Sequence, residues 1–297
     1  MASIKSEKKE FVCAGVVTYN PDIGILDSNL CTLCPQVNEV FVVDNGSGNV
    51  KNILGLLQRF PNVSVYTNDN NLGIAQALNW LCGLAFHKSY QWIVTMDQDS
   101  MCDNLMITKL SEMIRNDIGI IAPRVEFRDK GMLIEATYNK TDAVEKIDAC
   151  ITSGSLTNLE AWRLIGGFDE WMFIDHVDNE FCAHLKQKGY QIVRVNDALL
   201  YQRAGDMKHI TLFGKPIMLP YYSTFRNYYI CRNTVYFIRK YWKTIDLLRE
   251  IRSFVYSQAI KLIFEKGRLR NLKSSFLGIR DGIIKKKEYV NYCNKYL

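Results

Sequence analysis

Two aspartates separated by one residue, Asp97-Gln98-Asp99, follow an apolar run that begins at Trp92. The run includes Ile93 and Val94 and is rich in strand-forming residues, so it predicts a central β-strand buried on both faces. The two carboxylates then fall at the carboxyl end of that strand, where open α/β sheets bind ligands. Hard oxygen ligands at such a point suit Mg²⁺ or Mn²⁺ holding a diphosphate. The pair alone is weak evidence, because an Asp-x-Asp in a loop often caps a helix or stays solvated.

A strand followed by a helix occurs four times in about the first 117 residues. Strands are predicted at 11–18, 40–44, 63–66 and 92–97, and helices near 23–34, 49–60 and 74–88. This order implies a parallel sheet covered by helices, with right-handed crossovers. The glycines form neither G-x-G-x-x-G after the first strand nor G-x-x-x-x-G-K-[ST], so neither a Rossmann dehydrogenase nor a P-loop NTPase is indicated.

The second strand also ends in an acid, Asp44, which is followed by Gly46 and Gly48. A carboxylate at this edge can accept hydrogen bonds from a base or a ribose hydroxyl, and the glycines let backbone approach a ligand closely. The alternative is that Asp44 caps the helix predicted near 49–60. The residues alone leave both interpretations open.

Residues 168–184 contain five acids and two histidines. If a helix begins near Asp175 or His176, then Asp178 and Glu180 lie in its first turns, where the partial positive charge favours carboxylates. Such an acid can cap the helix or remove a proton from an acceptor hydroxyl. His176 and His184 do not have the spacing of metal ligands.

The chain has 297 residues, of which 48% are hydrophobic, enough for one large domain or one domain with an appendage. Residues 1–10 are polar and predict a disordered leader rather than a signal peptide. No apolar stretch reaches the roughly 20 residues of a spanning helix. Nine scattered cysteines indicate reduced cytoplasmic thiols.

Residues 239–297 are strongly basic, with 15 Lys/Arg against 5 Asp/Glu. Phe276, Ile279 and Ile283 recur at helical spacing and predict an amphipathic helix. Two alternatives follow for this tail, packing on the rest of the chain or docking on an anionic membrane surface. Nucleic-acid binding ranks below both, because no recognised binding module accompanies the charge.

Over residues 11–237 the sequence resembles glycosyltransferase family 2, the inverting transferases with a GT-A fold. The matching segments are Val17-Thr-Tyr-Asn-Pro21, Val43-Asp44-Asn45-Gly46-Ser47, Asn71-Leu-Gly73-Ile-Ala-Gln-Ala-Leu-Asn79, Asp97-Gln-Asp99, Gly166-Gly-Phe-Asp169 and Val177-Asp178-Asn-Glu180-Phe-Cys. Within the family, Asp97-Gln-Asp-Ser100, Phe173-Ile-Asp-His-Val-Asp178 and Arg226-Asn-Tyr-Tyr-Ile-Cys-Arg232-Asn233 look most like bacterial rhamnosyltransferases that use dTDP-rhamnose.

The resemblance implies an α/β GT-A nucleotide-diphospho-sugar transferase fold, with a mostly parallel central sheet covered by helices. The expected organisation is a leader at 1–10, a transferase domain at 11–237 and a basic amphipathic helical tail at 238–297. The expected reaction moves a sugar, L-rhamnose above others, onto a saccharide or a lipid-linked saccharide with inversion, in cell-surface polysaccharide synthesis.

The resemblance also assigns roles to residues. Asp178 would be the general base and Glu180 would orient it or the acceptor. Asp99, with Asp97, would ligate Mg²⁺ or Mn²⁺ on the diphosphate. The nucleotide would be held by Thr18, Tyr19, Asn20, Asp44, Asn71, Gly73 and Asp97, and the acceptor by Gly154, Trp171 and Asp175.

One position departs from the family pattern. Many relatives carry a histidine that completes the metal shell, and Gln202 stands at that point here. An amide oxygen can ligate a hard cation, and His209 a few residues later is the alternative third ligand.

Three other functions remain open: a family 2 transferase with another donor, a haloacid-dehalogenase-type phosphoryl-transfer enzyme, and an inactive sugar-nucleotide-binding scaffold. The expected partners are the nucleotide sugar and the saccharide acceptor, with peripheral membrane contact through the tail and no nucleic acid. We expect a cytoplasmic protein, either dissolved or bound at the inner face of the cell membrane.

Overall fold

The computed structural model describes residues 12–129, 132–134, 142–203, 207–212, 215–220, 223–264, 267–285 and 290–297. The predicted leader, residues 1–10, lies outside these ranges.

The first part of the chain alternates strands and helices, as the apolar runs predict. Its elements are β1 Val12–Thr18, α1 Ile23–Leu33, β2 Val40–Asp44, α2 Val50–Leu57, β3 Val63–Thr67, α3 Ile74–His87 and β4 Trp92–Asp97. β1 pairs in parallel with β2 and with β4, and β2 pairs in parallel with β3. The carboxyl ends of these four strands therefore meet at one edge of the sheet.

The second part completes the sheet with mixed pairing. Its elements are β5 Met101–Cys102, α4 Met106–Ser111, β6 Ile118–Asp129, β7 Met132–Ile134, β8 Val144–Lys146, β9 Ser155–Asn158, α5 Leu159–Ile165, α6 Val177–Gln187 and β10 Gln191–Arg203. The strand order is β3-β2-β1-β4-β9-β6-β10-β5. β9 runs antiparallel to β4, with Ser155 opposite Thr95, so the segment just before β9 reaches the carboxyl end of β4.

Helices cover both faces of the sheet, which explains why β1, β2 and β4 are apolar throughout. Leu26 and Leu30 of α1 and Ile53 of α2 bury one face. Leu81 of α3 and Trp162 of α5 bury the other, together with residues of α6. Two apolar layers of this kind are what a parallel sheet requires.

The chain ends with a β-hairpin, three helices and a short 3₁₀ segment. These are β11 Met207–Leu212, β12 Lys215–Pro220, α7 Thr224–Tyr241, α8 Leu247–Phe264, α9 Arg268–Ile284 and the 3₁₀ segment Tyr292–Lys295. The boundary predicted between 237 and 238 falls inside α7. Cys293 is fully buried in the core between the sheet and helices α3, α5 and α6, so the end of the basic tail is anchored there.

Helix α9 packs on α7 through small residues. A Cβ built on Gly278 would lie 2.4 Å from the carbonyl oxygen of Tyr228, and one on Gly282 would lie 2.4 Å from that of Arg232. The two backbones are therefore in contact. The predicted apolar stripe faces the other way, because Phe276 and Ile283 are exposed and Ile279 is partly buried.

All nine cysteines are free thiols, in agreement with the sequence interpretation. Among the helices that the structure describes, none combines the length and the apolar character that a membrane crossing requires.

We expect Gly282→Ala to destabilise the protein by about 1–3 kcal/mol, because the new methyl group cannot fit between the backbones of α9 and α7. Gly55→Ala is the matched control, since Gly55 is exposed on α2 with no atom within 4 Å of its added Cβ. That change should stabilise by roughly 0.5–1 kcal/mol through helix propensity. Urea unfolding measures both, and equal effects of the two substitutions would contradict the close packing.

Candidate active site

The loop after β2 is shaped by Asp44, whose side chain is 1% exposed. Its Oδ1 accepts hydrogen bonds from the hydroxyls of Thr18 (2.9 Å) and Ser47 (2.5 Å), and its Oδ2 accepts one from the Ser47 backbone N–H (2.9 Å). Asp44 therefore joins the ends of β1 and β2 and folds the turn at Ser47. The capping alternative is wrong, because Asn49 occupies the N-cap position of α2.

Asn45 links this loop to the one after β3. Its amide group donates to Asn71 Oδ1 (3.0 Å) and to the Gly73 carbonyl oxygen (3.2 Å), while its Oδ1 accepts from the Leu72 N–H (3.1 Å). Asn20 joins the same assembly, since its N–H donates to Ser47 Oγ (2.7 Å). The structure thus brings together the loops after β1, β2 and β3, the predicted nucleotide-binding residues among them.

Tyr19 connects that assembly to the acidic motif. Its N–H donates to Gln98 Oε1 (2.8 Å), and the Gln98 amide donates back to its carbonyl oxygen (3.3 Å). The Tyr19 residue is 46% exposed, so its ring is available to a ligand. These two hydrogen bonds therefore fix Gln98, the residue between the two aspartates, against the first loop.

Asp97 lies at the end of β4 in a crowded acidic environment. Its N–H donates to Ser153 Oγ (3.0 Å), and the amide of Gln202 on β10 donates to its Oδ2 (3.3 Å). Burial first, and then the negative charges of Asp99 and Asp178, raise the pKa of Asp97 to about 6. The predicted metal ligands and the predicted base therefore share one electrostatic neighbourhood.

Asp178 occupies the first turn of α6, and its Oδ1 accepts from the Asn179 N–H (2.9 Å). Burial raises the pKa of Asp178, and the charge of Asp175 adds to the effect. The carboxylate faces a cavity of about 660 Å³ that Asp97 also lines. A carboxylate with a raised pKa in a cleft is a candidate general base.

The segment before α6 has a strained backbone. Phe173, Asp175 and His176 all have positive φ, between 60° and 64°. Gly73 allows this segment to approach, because a Cβ there would lie 2.6–2.8 Å from atoms of Phe173. Ile74 N–H then donates to the Phe173 carbonyl oxygen (2.7 Å).

Asn233 of α7 holds the other side of the strained segment. Its buried amide nitrogen lies 2.7 Å, 2.7 Å and 2.9 Å from the carbonyl oxygens of Met172, Ile174 and Asp175. The sequence motif Arg232-Asn233 supported the family resemblance, but it carried no signal for this role. Asn233 is thus a positioning residue that sequence reasoning missed.

Asp175, which the resemblance assigns to the acceptor, lines the cavity and is paired with Arg226 of α7. The Arg226 Nη2 donates to Asp175 Oδ1 (2.8 Å), and its Nε lies 3.1 Å from both carboxylate oxygens. The Asp175 side chain is mostly buried, so the pair is a partly desolvated, charge-assisted contact. It fixes α7 beside Asp178.

His176 is a neutral spacer rather than a base. Burial lowers its pKa to about 4. The Thr234 hydroxyl donates to the Ile230 carbonyl oxygen (2.7 Å), so His176 Nε2, at 2.8 Å from Thr234 Oγ1, is the donor of that hydrogen bond.

Glu180 does not enter the cavity. It is two residues after Asp178 on α6 and therefore points to the opposite side of the helix. Its Oε1 accepts from Lys240 Nζ (2.7 Å) and from the Tyr241 hydroxyl (2.6 Å), and the residue is 1% exposed. The prediction that Glu180 orients the base or acceptor is corrected to an anchor between α6 and α7.

Two predicted acceptor residues also lie elsewhere. Gly154 is buried with φ 75°, and its N–H donates to the Thr95 carbonyl oxygen (2.7 Å), so it serves the turn before β9. Trp171 packs under the guanidinium of Arg232, 3.9 Å from the ring centre. Neither Gly154 nor Trp171 lines the cavity, whereas Thr152 and Ile174, which are close to them in the sequence, do.

The donors available for a divalent cation are oxygen atoms. In the described part of the chain, no three His, Cys, Asp or Glu side chains converge as a metal-binding cluster. The end of β4 instead offers Asp97 and Asp99 with the amide of Gln202 beside them. The side chain of the alternative ligand, His209, lies outside the described residues.

Helix α8 supplies a wall that the sequence did not predict. Glu250, Ser253, Ser257 and Lys261 recur at helical spacing and line the cavity opposite the sheet. Lys261 is buried, and its Nζ donates to Asn227 Oδ1 (2.6 Å). The only available signal was this polar spacing inside a basic helix, which is ordinarily a solvated face.

Residues 13–156 match the sequence model of Glycosyl transferase family 2. The predicted resemblance to this family is confirmed over that segment, which is slightly under half of the chain. The chain is also similar to the dTDP-rhamnosyl transferase RfbF of Shigella flexneri, with 28% identity over 289 residues that cover 92% of this chain and 95% of that protein. The predicted enzyme class is confirmed, and the haloacid-dehalogenase alternative is excluded.

Solved structures show the same GT-A fold. S. aureus TarS 1–349 matches with a TM-score of 0.59 and 14% identity, over 92% of this chain and 80% of that one. The complex of TarS 1–349 with UDP-GlcNAc matches with a TM-score of 0.57 and 15% identity, again over 92% of this chain and 80% of that one. The structure of GalNAc-T7 with UDP, GalNAc and Mn²⁺ matches with a TM-score of 0.57 and 14% identity, over 93% of this chain and 55% of that one.

We expect Asp97→Asn to stabilise the folded protein at pH 8 by about 1–3 kcal/mol. The pKa of Asp97 is raised in the folded state, so the ionised carboxylate costs stability above pH 6, and protonation removes that cost as the pH falls toward 4. The gain should therefore shrink toward pH 4. Urea unfolding at both pH values measures it.

Asp69→Asn is the control, because Asp69 is an exposed carboxylate in the loop after β3. It should show no gain that depends on pH in this way. An Asp97→Asn variant that is less stable than the parent at pH 8 would contradict the electrostatic account.

Proposed function

We propose that this transferase moves L-rhamnose from dTDP-rhamnose to a hydroxyl of a saccharide acceptor, with inversion at the anomeric carbon. The observation that carries the proposal is that Asp97 and Asp178 line one cavity at the carboxyl ends of the parallel strands, with Asp99 close enough to raise the pKa of Asp97. The choice of donor is supported by the similarity to the dTDP-rhamnosyl transferase of Shigella flexneri, which extends along almost the whole chain.

The three linked loops provide the proposed nucleotide platform. The Asp44 carboxylate already accepts hydrogen bonds from Thr18 and Ser47, so its contribution is to stabilise the conformation of the loop backbone. Tyr19 offers an exposed ring for the pyrimidine base, and Asn20 and Asn71 fix the rim on either side. Gly73 lets the segment that contains Phe173 pack against this platform.

The donor set fits a hard divalent cation such as Mg²⁺ or Mn²⁺. The negative charges of Asp99 and Asp178 both act on Asp97, and a cation bound there would offset them. The carboxylates of Asp97 and Asp99 with an amide oxygen are suitable ligands. Asp97, Asp99 and Gln202 would hold the ion once the Gln202 amide presents its oxygen. When bound, such an ion neutralises charge that develops on a leaving diphosphate.

Asp178 acts as the general base. Its carboxylate takes the proton of the acceptor hydroxyl while that oxygen forms a bond to the anomeric carbon, and the bond from that carbon to the dTDP oxygen breaks with its electron pair. Burial raises the pKa of Asp178, which makes the ionised form a stronger base than a solvated aspartate. A single displacement from the face opposite the diphosphate inverts the centre.

We also propose that helices α8 and α9 rest on an anionic membrane. Leu269 (83% exposed), Phe276 (69%) and Ile283 (53%) form an outward apolar stripe on α9. Exposed cations flank the stripe, and the small face of the same helix is already committed to α7. An apolar strip between cations is the pattern of a helix that lies in the lipid headgroup region.

We expect Asp178→Asn to lower the rate of dTDP release from dTDP-rhamnose by roughly 10²–10⁴, with water or a saccharide as acceptor. The affinity for dTDP should stay near that of the parent, because the donor site is intact. The parent should lose activity as the pH falls through the raised pKa of Asp178, and the variant should lack this acid limb. Initial rates across pH 4–8, with calorimetric dTDP binding, measure these effects.

A folded, dTDP-binding Asp178→Asn variant with a normal rate would remove Asp178 from the base role. Parallel assays with UDP-glucose and GDP-mannose test the donor. Faster release from either of these than from dTDP-rhamnose would replace the proposed sugar while leaving the reaction class intact.

We expect vesicles that contain phosphatidylglycerol to bind the protein, and pure phosphatidylcholine vesicles to bind little. Each cation near the surface contributes about 1 kcal/mol, so binding should weaken sharply as salt rises. Phe276→Glu should abolish flotation with vesicles, whereas Leu54→Glu, on exposed α2, should not. Equal flotation of both variants, or no preference for anionic lipid, would reject the membrane contact.

A further inference from the structure

A second cavity, of about 710 Å³, lies beside the one that holds Asp178. Its floor is formed by residues 146–149 and 189–192, and its walls come from α6 and the start of α8. Asn179 and Glu250 line both cavities. The two spaces are therefore compartments of one groove, with Asp178 next to the point where they meet.

The second compartment is long enough for more than one sugar ring. Asn179 and Lys186 both line it and are seven residues apart on α6, which is about 10 Å along the helix axis. Seven residues is close to two full turns, so both side chains lie on one side of the helix. The groove thus runs away from the reaction centre along α6.

The lining has both hydrogen-bond donors and acceptors. Lys186 and Asp148 form an ion pair, and Arg249 of α8 lines the same compartment. The hydrogen bond and charge of Lys186 lower the pKa of Asp148, and the positive charge of Arg249 acts in the same direction. The half-buried Tyr190 also lines this compartment. Exposed ion pairs are weak, so a ligand that donates and accepts can replace them. Sugar hydroxyl groups do both, whereas an apolar ligand does neither.

We propose that this second compartment binds the sugar residues next to the one that carries the reacting hydroxyl, so that the acceptor is an oligosaccharide rather than a monosaccharide. The inference rests on the proposed function, since it places the reacting hydroxyl at Asp178. It adds a substrate class and a binding site, formed by Lys146, Asp148, Lys186, Tyr190 and Arg249.

An array of defined mono- to hexasaccharides, probed with the full-length protein loaded with dTDP, tests the proposal. The parent should retain oligosaccharides of two or more residues and should not retain the corresponding monosaccharides. Arg249→Ala and Lys146→Ala should each weaken that retention at least tenfold. Both side chains are exposed, so both variants should fold, and thermal melting verifies this.

Arg252→Ala is the matched control, because Arg252 is an exposed cation one turn further along α8 that lines neither compartment. It should bind like the parent. Equal loss with Arg252→Ala, unchanged binding by Arg249→Ala, retention of monosaccharides alone, or no retention of any glycan would each overturn the proposal. Calorimetric dTDP binding on the same preparations keeps the two results separate. A protein that binds dTDP but retains no oligosaccharide contradicts this inference alone, whereas a protein that does not bind dTDP contradicts the proposed function.

Discussion

The active site depends on a short segment of strained backbone that two other elements hold in place. Residues with positive φ cost of order 1–3 kcal/mol each when they are not glycine, and Phe173, Asp175 and His176 are three of them within four positions. Asn233 and Ile74 offset that cost, the first from α7 and the second from the start of α3. The segment leads directly into α6, so this clamp sets where Asp178 points.

Helix α6 separates two acids that the sequence places side by side. Asp178 faces the cavity, while Glu180 faces α7 and is bound by Lys240 and Tyr241. Burial raises the pKa of Glu180, and the nearby charge of Lys240 opposes that rise and supports the ionised form. The ion pair therefore ties α6 to α7, so Glu180 stabilises the packing of these helices while Asp178, the proposed base, faces the cavity.

The sequence predicted the features that depend on local pattern. The apolar runs of β1, β2 and β4 located the parallel strands, and the acids after them located the edge where the site forms. Trp171 and Glu180 could not be placed in this way, because their surroundings are set by α7, more than fifty residues later in the chain. The wall formed by α8 was missed for a related reason. A polar face with helical spacing looks the same whether it meets solvent or a cavity.

Helix α8 has one face toward the cavity and the opposite face toward the surface that is proposed to meet the membrane. Ser253, Ser257 and Lys261 line the cavity, whereas Leu248 and Val255 lie on the opposite side and are exposed. One helix therefore separates the reaction centre from the surface proposed to meet lipid. A wall one helix thick is about 10 Å across, so an acceptor hydroxyl at Asp178 would lie close to the headgroups. An acceptor anchored in the same membrane would then reach Asp178 through the groove along α6, without leaving the surface that holds its anchor.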